Sequence, residues 1–71
     1  MTIGENIKKL REAKGMTQVQ LAEKVGVSQP YIVKIEQSAR SPTIMMIEAI
    51  AKALGCTLTE LLEKNSDNST A

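Results

Sequence analysis

Apolar side chains recur along this chain with the spacing of three and four residues that is typical of amphipathic helices. The first such stripe comprises Ile3, Ile7 and Leu10, with Ala13 close to it, and it predicts a helix over 2–14. A second stripe predicts a helix over 44–54, and its members are Ile44, Ile47, Ile50, Ala51 and Leu54.

The central third of the chain carries a compact pattern of capping and apolar residues. Thr17 can cap a helix by accepting a hydrogen bond from an amide of the first turn. The apolar face of that helix would consist of Leu21, Ala22 and Val25. Gly26 follows, and glycine most readily takes the left-handed conformation that ends a helix.

A second short helix is predicted directly after this turn. Ser28 is its candidate N-cap, and Pro30 is tolerated because the first helical turn has no intrahelical amide to lose. Ile32 and Ile35 give the helix its buried side, while Val27 fills the inside of the turn. The side chains left pointing outward are those of Gln29, Pro30, Val33, Lys34 and Gln37.

Two short helices joined by a glycine-bearing turn describe a helix-turn-helix, whose second helix enters the major groove of DNA. Ala22 favours this motif over a generic helical hairpin, because only a small side chain fits where two helices cross closely beside a tight turn. The alternative is that Ala22 serves only as a good helix former.

A polar loop and a last short helix complete the pattern. The loop spans 38–43, and Thr43 at its end can cap the next helix. Arg40 and Ser41 are free to meet a phosphate, although loops are polar for many reasons. Thr57 and Glu60 form a capping box before the apolar residues Leu58, Leu61 and Leu62.

The length and composition indicate one small all-α domain over 1–64, followed by a polar, disordered tail over 65–71. Hydrophobic residues make up 42% of the 71 residues, but there is one Tyr and no Phe or Trp, so the core must be aliphatic. No apolar run approaches the length of a membrane span, and no signal peptide is evident.

The residue types argue against an enzyme. The chain has no His, its single Cys lacks a base partner, and neither a glycine-rich phosphate loop nor a metal-spaced cluster is present. No cofactor, metal or small-molecule ligand is therefore expected. Cys56 is interpreted as a buried or half-buried hydrophobe, and a redox sensor is disfavoured because no charged neighbour promotes a thiolate.

Net charge is only +1, but its distribution is uneven. Residues 1–40 carry seven basic and four acidic side chains, a net of +3, whereas residues 41–71 carry two basic and four acidic ones, a net of −2. The basic excess thus lies in the part that contains the helix predicted after Ser28, which is called the recognition helix below because it would enter the major groove. This distribution favours a nucleic-acid partner.

Several short motifs occur in order along the chain, namely IGENIKKLREAKGMTQ, LAEKVGVSQPYIVKIE, SPTI and AIAKALGCTLTELL. With these motifs the chain resembles the Cro and repressor type (XRE-like) of helix-turn-helix DNA-binding domain, and the match runs from about Ile3 to Leu62. The resemblance implies a compact five-helix, lambda-repressor-like fold that binds operator-like DNA, usually as a dimer. It also implies a structural ion pair between Arg11 and Glu36, although Arg11 alone could be a solvated charge.

Base readout is assigned to the exposed side of the recognition helix. Gln29 can engage adenine N6 and N7 together, and the Lys34 ammonium can donate to guanine O6 or N7. Pro30 and Val33 are suited to thymine methyl groups. The resemblance also implies base contacts at Gln29, Pro30 and Lys34, but several relatives carry a polar residue in place of Pro30, so the base preference of the family does not transfer.

Phosphate contacts are expected from the start of the helix that Thr17 caps, where amides and the positive end of the helix dipole can face the DNA backbone, and from the loop over 38–43. Tyr31 has a rival role as an aromatic cap on the edge of the core. The candidates for phosphate binding are Gln18, Tyr31, Gln37, Arg40, Ser41 and Thr43.

A domain of this size covers only half of an operator, so we expect a homodimer with its two recognition helices about 34 Å apart. Its interface would use the last short helix and exposed parts of the helix over 44–54, although Met45 and Met46 could instead fill gaps in the core. The expected interface residues are Met45, Met46, Leu58, Leu61 and Leu62.

The predicted function is a dimeric repressor or controller that reads a palindromic operator on double-stranded DNA in the cytoplasm of a bacterium or phage host. The alternative is a protein-interaction module of the same fold, such as an antitoxin or adaptor.

Overall fold

The computed structural model describes residues 2–62, and these form five α-helices and no strand. The predicted tail at 65–71 and the last residues of the predicted domain lie outside the described part. The helices are α1 (Ile3–Ala13), α2 (Gln18–Val25), α3 (Gln29–Glu36), α4 (Ile44–Leu54) and α5 (Leu58–Leu62).

The capping residues predicted from the sequence lie at the ends of the helices. The hydroxyl groups of Thr17, Ser28 and Thr43 each accept a hydrogen bond from the amide three residues further on, at 3.0, 3.3 and 3.1 Å. Gly26 and Gly55 follow α2 and α4 in the left-handed conformation, with φ of 88° and 70°. Because each helix starts and stops at a defined residue, the turn between α2 and α3 is only a few residues long.

The core is aliphatic, as expected from the composition. Helix α3 packs against α1 and α2, while α4 and α5 pack against α1 and against each other. Ala22, in the second half of α2, is 3% exposed and belongs to this core. The largest fully buried side chains are Ile7, Leu21, Ile32, Ile35, Ile50 and Leu61.

Three positions differ from the predicted stripes. Ile44 is 63% exposed because it is the first residue of α4, where the helix leaves the polar loop and no neighbouring helix covers it. Ala13, the last residue of α1, is also exposed. Leu61 is fully buried in the core, so the prediction that it contacts a partner subunit is wrong.

Gly4 permits a close contact that the sequence patterns did not reveal. A Cβ atom at this position would collide with the carbonyl oxygen of Ile35 near the end of α3. Ser38, directly beyond α3, has a positive φ of 62°, and its hydroxyl lies 3.1 Å from that of Thr2. The start of α1 therefore rests on the end of α3, which fixes where the following loop begins.

Helix α5 is held at both ends by polar contacts. Thr57 and Glu60 form the predicted capping box, with the Thr57 amide 2.8 Å from Glu60 Oε1 and the Glu60 amide 3.1 Å from Thr57 Oγ1. The buried amide of Asn6 donates to the carbonyl of Leu61 at 2.8 Å. This carbonyl lies in the last turn of α5, where no amide of the same helix is available to donate a hydrogen bond to it.

Replacing Gly4 by alanine tests the contact between α1 and α3. Alanine in place of a helical glycine ordinarily stabilises a helix by about 0.5–1 kcal/mol. Here the collision with a backbone carbonyl should reverse the sign and lower the free energy of unfolding by about 1–3 kcal/mol, as measured by urea denaturation.

Lys9→Ala is the matched control, because Lys9 is exposed on the same helix. It should change the free energy of unfolding by less than about 0.5 kcal/mol. A Gly4→Ala protein as stable as the wild type would contradict the close approach.

Candidate nucleic-acid interface

The outer side of α3 forms an open, polar surface. Gln29, Pro30, Lys34 and Gln37 are exposed, and Val33 beside them is half-buried. Ile32 and Ile35 on the opposite side are fully covered, with 0% and 1% of their surface exposed. The four predicted base-reading residues thus lie together on the part of α3 that faces away from the core.

A buried ion pair fixes α3 to the rest of the fold. Arg11 Nε lies 2.7 Å from Glu36 Oε2, and Arg11 Nη2 lies 3.1 Å from Glu36 Oε1. Both residues are less than 10% exposed, so the pair is shielded from water. The hydrogen bonds to Glu36 raise the pKa of Arg11 above its usual value, against the opposing effect of burial. The structure therefore confirms the contact that the family resemblance implied.

Gln18 joins this ion pair, which the sequence analysis did not foresee. Its side-chain amide donates to Glu36 Oε1 at 3.1 Å, and Arg11 Nη1 donates to the carbonyl of Met16 at 2.8 Å. Glu36 thus receives hydrogen bonds from α1 and α2 at once. The sequence indicated this hydrogen bond only weakly, because Gln18 and Glu36 are 18 residues apart along the chain.

The loop after α3 brings other candidate phosphate ligands near the same surface. Arg40 and Ser41 are exposed, and the Arg40 guanidinium carbon lies 5.2 Å from the centre of the Tyr31 ring. Tyr31 is half-buried and packs against the core, so its predicted role at the core edge is confirmed. Thr43 accepts the capping hydrogen bond of α4, and its hydroxyl proton can still be donated.

Exposed apolar side chains lie elsewhere, on α4 and α5. Met45 is 79% exposed and Leu62 is 48% exposed, whereas Met46 and Leu58 are half-buried against the core. At least one of the two methionines was predicted to be exposed, and this is confirmed. The two methionines belong to α4 and the two leucines to α5, so none of the four lies on α3.

Cys56 lies half-buried next to α5. Burial raises the pKa of its thiol, with a smaller effect of the same sign from the Glu60 carboxylate. The thiol therefore stays protonated at neutral pH, which agrees with the predicted role as a small hydrophobe.

No group of three or more His, Cys, Asp or Glu side chains is placed to hold a metal ion within residues 2–62. None of the helices in this range is long and apolar enough to cross a membrane.

The fold and the α3 surface define a helix-turn-helix domain, and comparison with known proteins places the chain in a family. The model of the helix-turn-helix family matches residues 7–61. The chain therefore belongs to the helix-turn-helix family, in agreement with the resemblance to repressor-type members of it.

The relatives are repressors and other transcription regulators. The chain is 46% identical over 55 residues to the immunity repressor of Bacillus phage phi105, a match that covers 78% of this chain but 38% of the repressor. It thus spans well under half the length of that relative.

Two solved structures have similar folds and contain DNA. The P22 c2 repressor in complex with a synthetic operator superposes with a TM-score of 0.82 at 32% identity, over 92% of this chain and 98% of the repressor chain. The biofilm regulator SinR in complex with DNA superposes with a TM-score of 0.81 at 35% identity, over 87% of this chain and all of the other.

The ion pair can be tested with a double-mutant cycle. Arg11→Met and Glu36→Leu each leave one buried charge without its partner, so each should lower the free energy of unfolding by about 3–5 kcal/mol. The double variant should lose much less than the sum of the two, because neither charge remains buried. Urea denaturation of the four proteins measures the coupling.

Glu12→Gln is the control for this cycle. The Glu12 carboxylate lies 3.9 Å from Arg11 Nη2, but its side chain is 59% exposed. Its removal should therefore change stability by less than about 1 kcal/mol. If the double variant lost as much free energy of unfolding as the two single variants together, Arg11 and Glu36 would not be a coupled pair.

Proposed function

We propose that this chain is a transcription regulator that binds double-stranded DNA sequence-specifically, with α3 in the major groove. The observation that carries the proposal is the open outer side of α3, whose inner side is held by Ile32, Ile35 and the buried Glu36 carboxylate. A helix fixed on one side and exposed on the other can enter a groove without losing its contacts with the core. We infer that the protein acts in the cytoplasm of a bacterium or phage host.

Base pairs are read by the side chains on this surface. Gln29, in the first turn, presents an amide that can donate to adenine N7 and an oxygen that can accept from adenine N6. Lys34 lies further along the helix and can donate to guanine. Pro30 and Val33 offer apolar contact to thymine methyl groups. Because Val33 is half-buried, only a base that comes close to α3 can contact it.

Phosphate contacts supply affinity on both sides of the groove. Gln18 at the start of α2 is near the positive end of a helix dipole, although its side chain already donates to Glu36. Arg40 is the only charged residue of the loop between α3 and α4. Gln37, Ser41 and Thr43 carry neutral donors for the same backbone.

A dimer follows from the size of the domain. One α3 contacts about half of an operator, and a palindromic site needs two copies about 34 Å apart. Met45 and Leu62 are the most exposed apolar residues of α4 and α5 that were predicted for this interface, with Met46 and Leu58 at its edge. Burying them between two copies removes apolar surface from water, which favours association.

The division between base and phosphate contacts predicts two different binding defects. Gln29→Ala should weaken binding to a selected operator by about 1–3 kcal/mol and leave binding to random duplex nearly unchanged. Arg40→Ala should weaken both and lower the slope of log K against log salt by about 0.9. Operators selected from a random duplex pool and a titration over a salt series provide the measurements.

Lys52→Ala is the matched charge control, because Lys52 is exposed at the end of α4 remote from the loop. It should leave both affinities unchanged. Equal losses of Gln29→Ala on operator and random DNA would refute the assignment of base readout. A wild-type chain that shifted no genomic DNA at low salt would instead favour a protein-interaction module.

The dimer is tested by sedimentation velocity at micromolar concentration. The wild-type chain should sediment as a dimer, and Met45→Glu should shift it towards monomer because a charge would be buried in an apolar contact. Val19→Glu is the control, since Val19 is exposed on α2 outside the proposed interface. A monomeric wild type that occupies single half-sites would refute the proposal.

A further inference from the structure

The contact between Arg40 and Tyr31 links the loop after α3 to the side of that helix. The guanidinium carbon lies 5.2 Å from the centre of the ring, within the range of a cation–π interaction. Arg40 is exposed, so water alone would satisfy its charge. A cation–π contact at this distance favours one orientation of a side chain that could otherwise move freely.

The backbone leading to Arg40 is itself held in place. Ser38 takes up a positive φ, and the amide of Ala39 donates to the carbonyl of Lys34 at 2.8 Å. The hydroxyl of Ser38 lies 3.1 Å from that of Thr2. These contacts hold the backbone just before Arg40, whose guanidinium lies over the Tyr31 ring of α3.

Tyr31 provides a fixed surface for the guanidinium. Its ring is half-buried and packs against the hydrophobic core, which restricts the few rotamers that a tyrosine has. Tyr31 and Lys34 are three residues apart on α3, so they are neighbours on the helix surface. The ring therefore lies at the border between the core and the outer side of α3, and it keeps Arg40 next to the base-reading residues.

We propose that Tyr31 is a positioning residue, whose ring orients Arg40 before DNA binds so that the guanidinium meets a backbone phosphate beside the groove. The proposal rests on the proposed function of α3. It differs from the sequence-based expectation that Tyr31 itself is a phosphate contact. Pre-orientation reduces the conformational entropy that Arg40 loses on binding, so it adds affinity without adding a charge.

The contact can first be observed without DNA. In the free protein, the protons of the Arg40 side chain should be shifted upfield in NMR spectra by the ring current of Tyr31. Tyr31→Phe keeps the ring and should keep this shift, whereas Tyr31→Leu should abolish it. Random-coil shifts for Arg40 in the wild-type protein would overturn the proposal, whatever the protein binds.

Binding to duplex DNA over a salt series then tests the consequence. Tyr31→Phe should bind like the wild type, and Tyr31→Leu should bind about two- to fivefold more weakly, the loss expected for an exposed cation–π contact. The salt slope of Tyr31→Leu should match the wild type because Arg40 retains its charge. Adding Tyr31→Leu to Arg40→Ala should cause no further loss of affinity.

Each alternative gives a different result. If Tyr31→Phe loses as much affinity as Tyr31→Leu, the hydroxyl is the contact and the proposal is overturned. The proposal is also overturned if Tyr31→Leu weakens binding equally in the wild-type protein and in Arg40→Ala. The ring would then affect binding through the fold of the domain and not through Arg40. A wild-type protein that binds no duplex would overturn the proposed function as well, and this outcome is visible before any variant is compared.

Arg40→Lys provides a test that leaves the core intact. It keeps the charge but lacks the planar group that stacks on a ring. It should therefore bind about two- to fivefold more weakly than the wild type with an unchanged salt slope. If Tyr31→Leu proves too unstable to use, the Arg40 proton shifts in the free wild-type protein still decide the proposal, because random-coil shifts would overturn it.

Discussion

The carboxylate of Glu36 is the group on which the arrangement of the first three helices depends. It lies at the inner side of α3 and receives hydrogen bonds from Arg11 on α1 and from Gln18 on α2. A buried charge is costly unless it is paired and hydrogen-bonded, and in this placement of the three helices the carboxylate has both kinds of partner. That placement turns the opposite side of α3 outward.

Close packing supports the same arrangement at two other points. Ala22 is buried in the core near the turn between α2 and α3, and Gly4 allows the start of α1 to touch the end of α3. Helix α3 is thus restrained at both ends and along its inner side. The polar side chains on its outer side can then be presented to a duplex by a rigid support, and the loop that carries Arg40 begins from a fixed point.

The sequence predicted those features that depend on neighbours along the chain. Caps at Thr17, Ser28 and Thr43 and the glycine at position 26 act within one helical turn, so their patterns are sufficient. Long-range packing was not predictable in this way. A glycine inside a helix such as Gly4 suggests a close contact but does not identify the residue contacted. The apolar pattern likewise could not show that the Leu61 side chain would be fully buried in the core. The Arg11–Glu36 pair came from family resemblance, since nothing in local spacing identifies it.

The separation of the two sides of α3 has a consequence for how such domains diversify. Gln29, Pro30 and Lys34 are exposed, whereas the residues that maintain the fold lie on the other side of the helix or on other helices. Exchanging the outward residues alters the chemistry offered to DNA at little cost to folding, because surface substitutions rarely change stability by more than about 0.5 kcal/mol. One scaffold can in this way acquire new operator preferences through a few codon changes, and an engineer could retarget it by the same route.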